Sequence, residues 1–109
     1  MNLISKNLLI KPSPIHGWGV FIQENIQKND IILQSAVINL PHPYNYPPNL
    51  VKYIYVYNKK LFLALGEPSM INSSNEPNVK FDIDEEKKII SIISLKNITV
   101  GEEITLKYL

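Results

Sequence analysis

Short runs of isoleucine, valine, tyrosine and phenylalanine, spaced at every second position and separated by prolines and turn residues, constrain this chain more than any other feature. Period two belongs to a strand with two unlike faces, whereas a helix needs apolar residues every three or four positions. Residues 7–11 read as a first strand, stopped by Pro12 and Pro14; residues 18–22 read as a second and 30–38 as a third. Residues 40–49 hold Pro41, Pro43, Pro47 and Pro48, and form a loop that cannot sit inside a sheet. Tyr53, Tyr55 and Tyr57 alternate with Ile54 and Val56, and Asn58-Lys59-Lys60 turns the chain into a strand at 61–65. Residues 79–83 and 88–94 form another hairpin around 84–87. No stretch offers a long, capped, amphipathic helical pattern, so the chain is mostly β.

At 109 residues it suits one domain with a single modest core. Apolar residues make up 45% and the net charge is +1, which argues against disorder and against binding driven by a strong basic field. All eleven basic residues are lysines, so no guanidinium fork exists to read phosphate or guanine, and a nucleic-acid partner is not expected. The absence of cysteine rules out disulfides and thiolate metal sites. No apolar run has transmembrane length and the first residues lack a signal-peptide layout, so an intracellular location without membrane association is expected.

Two motifs at opposite ends carry the chemistry. Near the start stands His16-Gly17-Trp18-Gly19-Val20-Phe21; further on come Asn72-Ser73-Ser74-Asn75-Glu76-Pro77-Asn78, then Gly101-Glu102-Glu103-Ile104-Thr105 and Tyr108. Taken singly, each has a plain structural reading. A Gly-x-Gly pair is a common turn, and no third glycine or helix follows to make a dinucleotide fingerprint. A Ser/Asn/Pro cluster is a surface loop, and the Glu102-Glu103 pair is a solvated turn. Trp18 reads as a backbone that lines a site and an indole that packs. His16 and His42 lack a third ligand, so no metal site is expected. Residues 25–31 and 97–104 echo each other, each placing an apolar anchor before a turn and a new strand.

Together, the order and spacing of these motifs resemble the SET domain of S-adenosylmethionine-dependent protein-lysine methyltransferases, most closely the compact viral members. The resemblance covers nearly the whole chain. It implies one SET domain over residues 1–109 without pre-SET or post-SET modules, built as a β-clip of short strands in small sheets with a knot-like C-terminal crossing. It further implies that Gly17, Trp18, Gly19, Asn72 and Ser73 bind S-adenosylmethionine, that Tyr53 lines the substrate channel, and that Tyr108 is catalytic. A lysine-containing protein or peptide would be the substrate. Ser73 stands where the family has histidine, Lys107 precedes the tyrosine, and the sequence stops at Leu109, where relatives continue with a covering segment. Either a second subunit supplies that wall or the pocket is open and activity weak; related viral SET proteins form dimers, and by that analogy a homodimer is expected. A second reading keeps the fold but makes the chain a binding module that turns over slowly.

Overall fold

The computed structural model describes residues 2–41 and 45–108, so His42, Pro43 and Leu109 lie outside the described residues. Among the described residues the strands are β1 (Leu8–Pro12), β2 (Trp18–Ile22), β3 (Ile31–Leu40), β4 (Ile54–Tyr57), β5 (Lys60–Ala64), β6 (Asn72–Ser73), β7 (Val79–Asp84), β8 (Ile89–Ser94) and β9 (Thr105–Leu106). They form an antiparallel five-stranded sheet in the order β4-β5-β3-β8-β7, a β1-β2 hairpin and a short parallel β6-β9 pair.

The alternation in the sequence becomes burial. In β8, Ile90, Ile92 and Ser94 are buried while Ile89, Ser91 and Ile93 are half-exposed. Tyr55 and Phe62 face each other across β4 and β5, and neither retains accessible surface. Each such side chain contributes on the order of 1.5–3 kcal/mol of burial. The β4-β5 turn has Asn58 and Lys59 both at positive φ, which is the primed hairpin turn that matches the twist of its strands.

Three differences from the sequence pattern have physical causes. Strand β3 runs past 38 to Leu40 because its first part pairs with β8 and its last four residues pair with β5. Strand β1 takes in Pro12, whose partner Trp18 lies in an isolated hairpin where a missing N–H costs no ladder bond. Inside the expected proline loop, Pro48–Val51 forms one helical turn. Pro48 occupies its first turn, where the backbone N–H would have no partner in any case.

The echo between residues 25–31 and 97–104 becomes a physical pairing. Ile26 and Ile98, both buried, exchange backbone hydrogen bonds of 2.8 and 2.9 Å. The Asn97 side chain accepts from Lys28 N–H, and the Asn25 side chain accepts from Val100 N–H. Asp30 accepts from Gln27 N–H as Glu102 does from Thr99 N–H, and Asn29 and Gly101 share positive φ. This paired device ties the end of β2 to the segment that follows β8. Phe21 then bridges Glu103, and Ile104 N–H reaches Val20 C=O. The C-terminal residues are thereby led alongside β2 to β6, where Asn72 pairs with Thr105 and Ser73 with Leu106.

Candidate active site

Four chain segments bound a cleft of about 580 Å³: the 16–18 bend, the 52–53 entry to β4, the 69–73 segment, and Tyr108. Of the residues singled out from sequence, Gly17, Trp18, Tyr53, Asn72, Ser73 and Tyr108 line it. Gly19 does not. It is buried behind the wall, and a β-carbon there would lie 2.4 Å from Glu103 Oε2. The two glycines of the bend therefore serve different needs. Gly17 adopts φ +50° with open space around it, whereas Gly19 admits a carboxylate against its backbone.

The Trp18 indole is 58% exposed, contrary to the packing expected of it. Its strand partner is Pro12 at the end of the two-stranded hairpin, so no second layer covers that end of β2.

Asn72 reaches across from β6. Its amide nitrogen donates toward His16 C=O (3.0 Å), Trp18 C=O (3.1 Å) and Glu103 Oε2 (2.8 Å). Three acceptors for two N–H groups fix which end of the amide is nitrogen. Among the described residues no group donates to its oxygen. Asn78 fastens the strand behind it, donating to Glu103 C=O and accepting from Thr105 N–H.

Tyr108 is half-buried and its hydroxyl donates to Ile71 C=O. Its ring lies 4.8 Å from that of Tyr55, which in turn meets Phe81 edge-on at 4.8 Å. The Tyr55 hydroxyl donates to Pro68 C=O at 2.6 Å. Both phenols hold their protons more tightly than usual. Burial is the main cause for each; the neighbouring Tyr55 hydroxyl offsets part of the effect at Tyr108. Tyr53 is 38% exposed and carries the Lys52 ammonium 5.4 Å from its ring centre. Tyrosine rings and hydroxyls, backbone carbonyls and one amide make this cleft suited to holding and orienting a ligand. Among the described residues no cluster of three or more His, Asp or Glu side chains could hold a metal ion.

Sequence reasoning missed two contributors. Tyr55 reads in the sequence only as a strand residue, yet its ring packs against that of Tyr108. Glu103 was read as half of a solvated pair, yet it is half-buried and bonded to Ser13 and Asn72 while Glu102 is exposed. The sequence contains no local signal that distinguishes the two acids. The difference comes from pairing with β2, more than 80 residues away.

The SET domain family model matches residues 17–109. A Schizosaccharomyces pombe protein named as a histone-lysine N-methyltransferase specific for H3 lysine-37 is 32% identical, over 97% of this chain and 76% of its own length. The crystal structure of a Plasmodium falciparum protein, described as a candidate histone methyltransferase, superposes with a TM-score of 0.83 at 30% identity. That match covers 97% of this chain and 96% of the other.

Proposed function

This chain belongs to the SET-domain family, and we propose on that premise that it is an S-adenosylmethionine-dependent protein-lysine N-methyltransferase acting as a single intracellular catalytic domain. The observation that most supports this reading is the meeting of Tyr108, Tyr53, the Gly17-Trp18 backbone and the Asn72 amide around one cleft. The walls also suit the cofactor. The volume falls in the range of small-molecule sites, and the unused Asn72 oxygen can accept from an ammonium. When bound, the cofactor supplies a methyl group on a positively charged sulfur. Gly17, Trp18, Gly19, Asn72 and Ser73 would hold it, with Gly19 acting through the wall behind the bend and Ser73 serving where relatives have histidine.

The chain's own residues address the main obstacle, which is that a free lysine is neutral in only about one molecule in 2,500 at pH 7. The rings of Tyr53 and Tyr108 would enclose the alkyl stem and disfavour the charged amine. The Tyr108 hydroxyl, kept protonated by burial, would orient the nitrogen rather than act as a base. Alignment of the reacting atoms would supply several kcal/mol more. The substrate would be a lysine-bearing protein or peptide. With a net charge of +1 the domain offers a basic histone tail no strong attraction, so contacts at the cleft would set the choice. A homodimer and kinship with compact viral relatives belong to the same proposal.

Transfer from labelled cofactor to histone H3 and to whole host extract, with wild type and Tyr108→Phe, tests the reading. Turnover should fall by about 10²-fold or more in the variant while cofactor affinity stays within about threefold. Equal turnover in both proteins would remove Tyr108 from catalysis. No turnover in either, with cofactor bound, would favour the slow binding module.

A further inference from the structure

Glu103 lies behind the cleft and links the bend to β6. Its carboxylate accepts from the Ser13 hydroxyl at 2.8 and 2.9 Å and from the Asn72 amide at 2.8 Å. Its Oε2 occupies the space that a β-carbon at Gly19 would need. Ser13 and Gly19 are the two stems of the bend that carries Gly17 and Trp18. Ser13 transmits the hold inward, since its hydroxyl accepts from Ile15 N–H and its N–H donates to Gly17 C=O. One carboxylate therefore touches both stems of the bend and the residue facing it from β6. Among the described residues its partners are neutral donors, and the recorded ion pair is elsewhere, between Lys60 and Glu85.

We propose that Glu103 is the positioning residue of this cleft, holding the 13–19 bend closed at its stems and pressed against the Asn72 amide. Its link to cofactor binding rests on the function proposed above; its link to the order of the bend does not. Hydrogen bonds to a charged acceptor are the stronger kind, and two donors converge here, the Ser13 hydroxyl being shared between both carboxylate oxygens. The geometry calls for acceptors at fixed points rather than for charge as such. A glutamine can keep an oxygen toward Asn72 and turn its amide to the Ser13 oxygen.

Backbone relaxation of the ligand-free protein and calorimetric titration with S-adenosylhomocysteine test this in wild type, Glu103→Ala and Glu103→Gln. In Glu103→Ala the amide order parameters of Gly17 and Trp18 should fall from about 0.85 to below about 0.6, with the sheet unchanged. Affinity should weaken about tenfold or more. Glutamine should restore rigidity fully and affinity to within about threefold, a rescue that a requirement for charge would not allow. A rigid bend in Glu103→Ala would overturn the proposal, as would a glutamine variant as mobile as the alanine one. Should Glu103→Ala fail to fold, Ser13→Ala cuts the same link and must loosen the bend by itself. Wild type that binds no cofactor product would count against the function, and the relaxation comparison would still decide the role of Glu103.

Discussion

At the scale of single residues, Tyr55 and Trp18 show opposite relations between sequence and structure. Both are large aromatics in strands, yet Tyr55 keeps no accessible surface and Trp18 keeps more than half. Packing decides this: both strands have one sheet neighbour, but Tyr55 is covered by the Phe81 and Tyr108 rings, while Trp18 stands at the open end of its hairpin. Tyr55 packs and bonds at once, its ring against Tyr108 and its hydroxyl on Pro68 C=O. Tyr55→Phe leaves that carbonyl without its donor, and should lower stability by about 1–2 kcal/mol in urea unfolding. Most of the residues that line the cleft could be picked out beforehand because their motif spacing is distinctive. The supporting layer could not. Glu103 acquires its role from partners 31 and 90 residues away and Tyr55 packs against Tyr108 near the other end of the sequence, and no local pattern encodes those distances.

At the scale of elements, period two located the long strands to within a residue or two, because burial of alternate side chains is a local property of the chain. The strands β6 and β9 have two residues each and show no periodicity of their own; they exist because each finds the other. The paired turns at 25–30 and 97–102 lie between these extremes. The echo could be read in the sequence, but the reciprocal bonding of Ile26 and Ile98 could not. Their equivalence makes a prediction. Asn29 and Gly101 occupy matching positions at φ 74° and 95°, and a β-carbon at Gly101 meets nothing within 4 Å. The cost of substitution there is conformational rather than steric. Gly101→Asn should cost less than about 1 kcal/mol, since asparagine tolerates this region, and Gly101→Val about 2 kcal/mol or more. Thermal unfolding of the two variants checks the order.

At the scale of the whole molecule, two phenols whose protons are held by burial tie stability to pH at the alkaline end. Folding raises the pKa of Tyr55 and Tyr108 above the ordinary value of about 10. Their contribution is complete below that pH and is lost above it, where the unfolded chain releases protons that the native state retains. Stability should be flat to about pH 9.5 and then fall as pH rises, steepening toward about 1.4 kcal/mol per pH unit for a phenol that stays protonated in the native state. Urea midpoints measured from pH 8 to 11 check this, with Tyr55→Phe making the fall shallower. The parallel clasp of β6 and β9 also decides when the cleft gains its last wall. A chain still on the ribosome without residues 105–108 has its bend and its sheet but no phenol beside Ile71. Its cleft stays open on that side until the residues that pair with β6 have joined it.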